Sequence, residues 1–164
     1  MTITITFTLD AEPTTIAIND VSETLVDVLR KQLRKTGTHV GCRNGDCGAC
    51  TVLINGDAYK SCLVPAWRVE GLAVETIQGI ASTDGVLHPV QQAFRDQDGF
   101  QCGFCLAGPV MCMVSLLRAD PAPSEDSIVA SLTGNLCRCT GYQQIMTAAR
   151  SAASNPRADG IPDT

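Results

Sequence analysis

The pattern of hydrophobic and polar positions changes its period about midway along the chain. Residues 2–10 alternate threonine with isoleucine, phenylalanine and leucine, which predicts a strand with one buried face. Further strands are predicted over 14–18 and 73–77. Apolar residues recur at helical spacing over 22–35, after an N-cap signal at 20–23. These elements predict a small α+β domain with a mixed sheet.

A β-hairpin is predicted between the helix and the last of these strands. Residues 51–54 and 57–60 flank Asn55 and Gly56, which form a typical two-residue hairpin turn. Such a hairpin would bring Cys62 back toward Cys50.

The second half of the chain carries a helical pattern instead. Four helices are predicted, over 88–96, 105–119, 124–132 and 142–153. We therefore expect two domains, and their bounds are 1–79 for the α+β domain, 80–154 for the helical domain and 155–164 for a mobile tail.

Composition excludes several classes of function. The chain has 164 residues and a net charge of −5, which gives no case for nucleic-acid binding. No stretch has the roughly 18 apolar residues of a membrane span. The N-terminus lacks the basic and apolar regions of an export signal, so a cytoplasmic location is expected. Nine cysteines outside an oxidising compartment favour a metal over disulfides.

The first cysteine group is compact. Cys42, Cys47 and Cys50 have C-x4-C-x2-C spacing, which is typical of a plant-type [2Fe–2S] cluster whose fourth thiolate comes from elsewhere in the chain. Gly45 and Gly48 would supply positive φ angles and amides that point at cluster sulfurs. A zinc knuckle is the alternative.

The second group consists of two pairs. Cys102 and Cys105 form a C-x2-C turn, and Cys137 and Cys139 form a C-x-C. Both pairs lie at ends of predicted helices, so packing these ends together would gather four thiolates. A zinc site competes with an iron–sulfur cluster on this spacing. Cys112 stands alone and is expected to be a buried structural cysteine.

Three segments together resemble a known family. The segments 41–50, 101–105 and 134–142 closely resemble those of the small iron–sulfur subunit of the molybdenum hydroxylases, which include xanthine dehydrogenase, aldehyde oxidoreductase and aerobic carbon monoxide dehydrogenase. The resemblance covers residues 2 to about 153. It implies a plant-ferredoxin-like β-grasp domain followed by a four-helix bundle, each holding one [2Fe–2S] cluster.

The resemblance also implies ligands and partners. The first cluster would be held by Cys42, Cys47, Cys50 and Cys62, and the second by Cys102, Cys105, Cys137 and Cys139. Gln101 matches a position that contacts the molybdopterin cofactor of a large subunit. Electrons would pass through the bundle cluster and the ferredoxin-like cluster to FAD on a medium subunit. The assembly is expected to be a dimer of heterotrimers.

Several residues outside the cysteine groups also have an expected position. Residues 106–109 depart from the family pattern, and Pro109 is expected in the first turn of its helix. His39 is expected to be a loop side chain, while Tyr59 and Trp67 are expected in the core. No nucleophile–base pair is present, so the chain carries no substrate site of its own. A free-standing ferredoxin-like carrier and a zinc-stapled interaction module are the alternative functions.

Overall fold

A computed structural model describes residues 2–82 and 84–155. Over these residues the chain forms a mixed sheet with one short helix, followed by four longer helices. This architecture confirms the predicted α+β class. Apart from Asn155, the predicted tail at 155–164 lies outside the described residues.

The sheet has five strands in the order β2-β1-β5-β3-β4. β1 and β2 are antiparallel, whereas β5 lies between the two hairpins, parallel to β1 and antiparallel to β3. The strands are β1 (Ile3–Leu9), β2 (Glu12–Ile18), β3 (Thr51–Ile54), β4 (Asp57–Lys60) and β5 (Ala73–Glu75).

The predicted hairpin is confirmed. Ile54 pairs with Asp57 across the turn, so the loop contains two residues. Asn55 and Gly56 have φ angles of 52° and 91°. Both values are positive, as the tight turns that match the twist of a hairpin require.

The first helix is shorter than predicted. α1 has one α-helical turn, Leu25–Asp27, which continues as a π-helix over Val28–Gln32. The expected cap at 20–23 was wrong, because Asp20 accepts a hydrogen bond from the Ser22 N–H within its own turn. Thr24 is extended and forms a β-bridge with Pro65, which delays the start of the helix.

Four helices form the second layer at nearly the predicted positions. Pro109 lies in the first turn of its helix, where the missing N–H is tolerated, as expected. The Ser124 hydroxyl accepts the Ser127 N–H and caps the next helix. The helices are α2 (Pro89–Asp96), α3 (Ala107–Ala119), α4 (Glu125–Leu132) and α5 (Gln143–Ala153).

Two hydrophobic cores divide the molecule. One packs the sheet against α1, and the other fills the space between the four helices. Leu53 of β3 is fully buried in the helical core, so the sheet and the bundle share a packed boundary. Among the described residues, every helix is too short or too polar to cross a bilayer.

Candidate metal centres

The loop at 41–50 wraps around the first cysteine group, which we call site 1 (Cys42, Cys47, Cys50 and Cys62). Gly45 and Gly48 have φ angles of 88° and 74°, as expected from the sequence. The N–H of Cys47 donates to Sγ of Cys42 at 3.4 Å. This and neighbouring backbone donors lower the pKa of Cys42 to about 6, which favours the thiolate that a metal needs.

The other half of site 1 is buried at the base of the hairpin. The Ser61 N–H and hydroxyl both donate to the Cys50 carbonyl, at 3.3 and 2.6 Å. These bonds hold Cys62 beside Cys50, as the hairpin predicted. Burial raises the pKa of Cys62 to about 11. A bound cation would favour the thiolate at this buried position.

An ion pair anchors the loop to α1. The guanidinium of Arg43 donates two bonds to the Asp27 carboxylate, at 2.8 and 3.0 Å, and Lys31 approaches the same group at 2.9 Å. Arg43 has a φ angle of 64°, although it is not glycine. The sequence reasoning missed this anchor, since nothing in a loop pattern connects positions 16 residues apart.

The second cysteine group, which we call site 2 (Cys102, Cys105, Cys137 and Cys139), gathers at three helix ends. The sulfurs of Cys102 and Cys139 lie 3.5 Å apart and are exposed. Cys105 is buried and hydrogen-bonds to Cys137. Burial raises the pKa of Cys105 to about 12.

Two polar side chains fix the position of Cys137. The Thr140 hydroxyl donates to its sulfur at 3.2 Å, and the Tyr142 hydroxyl accepts its N–H at 3.0 Å. Burial raises the pKa of Cys137, but Thr140 and backbone donors outweigh it and set the pKa to about 7. The sequence placed Tyr142 in a motif without a role, and its hydroxyl is the part that contacts the site.

The thiols approach one another in pairs. Across the described ranges, no three His, Cys, Asp or Glu side chains are grouped closely enough to hold one metal ion. The pairs are Cys42 with Cys47, Cys50 with Cys62, Cys105 with Cys137, and Cys102 with Cys139. Paired thiols fit a two-iron cluster, which takes four thiolates around two metal atoms, better than a single tetrahedral zinc ion.

One backbone hydrogen bond joins the two sites. The N–H of Leu136, next to Cys137, donates to the carbonyl of Cys47 at 2.9 Å. This is a short covalent and hydrogen-bonded connection between a candidate ligand of site 1 and a candidate ligand of site 2.

The remaining predicted residues have mixed outcomes. Gln101 is exposed beside Cys102. Cys112 lies in α3 and is half-buried rather than buried, and Asn135 donates to its sulfur at 3.4 Å. Tyr59 and Trp67 were wrongly expected in the core, because they are 46% and 41% exposed.

Comparison with known proteins agrees with this geometry. Residues 7–75 match the family described as 2Fe-2S iron-sulfur cluster binding domain, and 76–150 match the [2Fe-2S] binding domain. The small subunit of nicotine 6-hydroxylase from Paenarthrobacter nicotinovorans is 45% identical over 138 residues, which cover 84% of this chain and 82% of that subunit.

Two further proteins extend the comparison. Rat (Rattus norvegicus) aldehyde oxidase 3 is 47% identical over 146 residues, which cover 83% of this chain but only 11% of that protein. The crystal structure of quinoline 2-oxidoreductase from Pseudomonas putida 86 superposes with a TM-score of 0.89 at 37% identity, covering 98% of this chain and 99% of the matched one.

The fold and the paired thiols define a protein of two [2Fe–2S] cluster-binding domains. The small subunit of nicotine 6-hydroxylase is similar over most of both chains, which narrows the class to separate iron–sulfur subunits. The chain belongs to the iron–sulfur subunits of the molybdenum hydroxylases. The β-grasp and helical-bundle architecture implied by the sequence resemblance is confirmed by the matched structure. This family membership excludes the alternative that the chain is a zinc-stapled interaction module.

Proposed function

We propose that the chain carries electrons between a molybdopterin centre on a large subunit and FAD on a medium subunit. The observation that carries this proposal is the pair of four-thiol sites joined by the Leu136–Cys47 hydrogen bond. A free-standing carrier would need one site and no second domain. Two sites in series instead suit a relay with a partner at each end.

We assign the cluster ligands by site. Bound [2Fe–2S] clusters supply carriers that accept and release one electron at a time. The residues fit such a group, because four thiols surround each site in pairs and backbone N–H groups point at sulfur in site 1. The ligands are Cys42, Cys47, Cys50 and Cys62 in site 1, and Cys102, Cys105, Cys137 and Cys139 in site 2.

The chain's own groups would tune the carriers. In site 1, the backbone N–H of Gly45 donates to the Cys62 sulfur, whereas Gly48 leaves room for Asn135 beside the loop. In site 2, the Thr140 hydroxyl donates to Cys137. Hydrogen bonds to sulfur and burial are the levers by which a protein sets a cluster potential.

Each site has its own exposed apolar surface. Leu136, Phe104 and Tyr142 are 57%, 48% and 40% exposed around the exposed thiols of site 2. At site 1, Leu63, which is 58% exposed, follows Cys62 and lies against Gly45. Exposed apolar groups of this kind mark protein interfaces. We assign the surface at site 2, with Gln101, to the molybdopterin subunit and the surface at site 1 to the flavin subunit.

The two-electron reaction on the large subunit would release its electrons singly. Each would reach site 2, cross the Leu136–Cys47 contact to site 1 and leave to the flavin. The relatives of this chain are named for different substrates, which are nicotine, aldehydes and quinoline. Substrate choice therefore belongs to the large subunit.

We also propose a domain boundary, a cellular location and an assembly for the chain. We place the domain boundary after residue 79, between the two hydrophobic cores. We place the protein in the cytoplasm, where cysteine thiols stay reduced and available as cluster ligands. The assembly is taken as a dimer of heterotrimers, which sedimentation of the purified complex would check.

The experiment that tests the function is EPR spectroscopy of the purified complex. Reduction should produce two distinguishable [2Fe–2S] signals, and both should appear when the complex is reduced by its own substrate. A colourless protein that contains zinc would contradict the proposal. So would two clusters that dithionite reduces but substrate does not.

A further inference from the structure

We infer that Asn135 is a positioning residue that sets the spacing of the two clusters. This inference rests on the proposed electron-transfer function. Asn135 is 6% exposed and lies two residues before Cys137, at the point where the two domains meet. Its neighbour Leu136 makes the hydrogen bond to Cys47 that joins the sites.

The two ends of the Asn135 amide have different surroundings. Its Nδ2 donates to the Leu132 carbonyl at 3.2 Å and to the Cys112 sulfur at 3.4 Å. These bonds tie the side chain to the end of α4 and to the middle of α3. Its Oδ1 is buried and accepts no hydrogen bond from the described residues. A buried oxygen without a donor is costly, so its position needs another explanation.

Oδ1 is wedged between two glycines from different domains. A Cβ added to Gly48, in the site 1 loop, would lie 2.4 Å from it. A Cβ added to Gly108, in the first turn of α3, would lie 2.3 Å from it, and 2.6 Å from the carbonyl oxygen of Gly48. The amide oxygen therefore fills the space between the site 1 loop and the helix that follows Cys105.

Asn135 therefore acts in two ways: its Nδ2 hydrogen-bonds to α3 and α4, and its Oδ1 keeps the site 1 loop and α3 apart. Both cluster loops contact one rigid carboxamide, and the helix beyond Cys105 is held at the same point. The Asn135 side chain then helps to set the distance between the two sites, together with the Leu136–Cys47 hydrogen bond beside it. Electron transfer and magnetic coupling between clusters both fall steeply with distance, so both depend on this contact.

The test uses the reduced complex and measures the magnetic splitting between its two clusters by EPR. Asn135→Ala should broaden or shift the splitting while both signals persist. Asn135→Ser should change it in the same direction, and supplies the measurement if the alanine variant does not retain both clusters. Leu117→Ala, which removes a buried side chain of α3 far from the wedge, is the matched control. It should lower the melting temperature and leave the splitting unchanged.

A second variant tests whether the two sites move apart or together. Gly108→Ala should push the sites apart and weaken the splitting. In the Asn135→Ala background the added methyl enters space that Oδ1 has left, so Gly108→Ala should weaken the splitting less. Native splitting in both Asn135 variants, or an equal effect of Gly108→Ala in both backgrounds, would overturn the inference. Absence of either EPR signal in the unmodified complex would instead reject the electron-transfer function.

Discussion

The imidazole of His39 lies flat against the ring of Phe104. Their centroids are 4.9 Å apart and their planes differ by 14°. Nδ1 of His39 also donates to the Phe104 carbonyl at 2.8 Å. His39 precedes the site 1 loop, whereas Phe104 lies between Cys102 and Cys105 of site 2. This stacked pair is a further contact between the two sites, besides the Leu136–Cys47 bond and the packing of Asn135 against Gly48.

Replacing His39 should loosen this contact without removing a cluster. His39→Ala loses both the stack and the hydrogen bond, and each is worth about 0.5–1.5 kcal/mol. We expect the unfolding free energy to fall by about 1–3 kcal/mol, from these same terms, in a protein that retains both EPR signals. Denaturant unfolding of the purified complex measures this loss.

His39→Phe separates the two terms. It keeps an aromatic ring over Phe104 and removes only the donor, so its stability should lie between those of the native protein and His39→Ala. If His39→Phe and His39→Ala lose the same free energy of unfolding, the aromatic stack contributes nothing to stability.

Local features of the sequence predicted the hairpin and the grouping of the cysteines. The cysteine spacing and the Asn55–Gly56 turn are local features, and a hairpin closed by a two-residue turn has its register fixed. Cys62 therefore had to return beside Cys50. Helix positions in the second half were also predicted, because proline and serine mark their first turns.

Contacts between distant segments were not predictable in the same way. Arg43 and Asp27 are joined by folding alone, and neither residue has a local signal for the other. Tyr59 and Trp67 were expected in the core because aromatic residues are usually buried, yet both are exposed. Trp67 instead has the guanidinium of its neighbour Arg68 over its ring, at 5.2 Å from the centroid.

The Asp27–Arg43 ion pair should make stability depend on pH. The Arg43 guanidinium, together with Lys31 and Thr24, holds the pKa of Asp27 well below its ordinary value of 3.8. A lowered carboxyl pKa stabilises the fold above the ordinary value, and this contribution is lost as the pH falls below it. Asp27→Asn should therefore lower the free energy of unfolding at neutral pH by about 1 kcal/mol, and the melting temperature should fall with it.

The quantity to follow is the difference in free energy of unfolding between the native protein and Asp27→Asn. It should be constant from neutral pH down to the region of 3.8 and should shrink below it. Glu125→Gln is the comparison for an exposed pair: Arg150 also lowers the pKa of Glu125, so this difference should shrink on acidification too, but from a smaller value because both side chains are half exposed. A gap between native protein and Asp27→Asn that widens on acidification would contradict the assigned sign.

Gly45 should tolerate no side chain. Its φ angle is 88°, and an added Cβ would lie 2.6 Å from Cδ1 of Leu63. Gly45→Ala adds backbone strain of about 1–2 kcal/mol, and its methyl displaces the exposed Leu63 side chain next to Cys62. We expect site 1 to lose iron on purification while site 2 keeps its EPR signal. Gly56→Ala has a similar φ of 91° but open space around it, so it should keep both clusters.

The ligand assignment predicts independent losses. Cys105→Ser should remove one EPR species and leave the other, since site 1 uses none of the same residues. Cys112→Ser should keep both species, because Cys112 pairs with no other thiol in the described residues and bonds to Asn135 instead. Iron and sulfide analysis of each purified variant gives the count. Loss of iron in Cys112→Ser, or of both signals in a folded Cys105→Ser protein, would refute the assignment.

The two exposed apolar surfaces should release different partners when they are charged. Leu136 is 57% exposed beside site 2, and Leu63 is 58% exposed beside site 1. Burying a carboxylate without a partner in an interface is strongly unfavourable. Leu136→Glu should therefore release the molybdopterin subunit, and Leu63→Glu the flavin subunit, as measured by subunit content after size-exclusion chromatography. Val86→Glu, at a residue 62% exposed away from both sites, should release neither. Loss of the molybdopterin subunit from the Leu63 variant would reverse the assignment of the two surfaces.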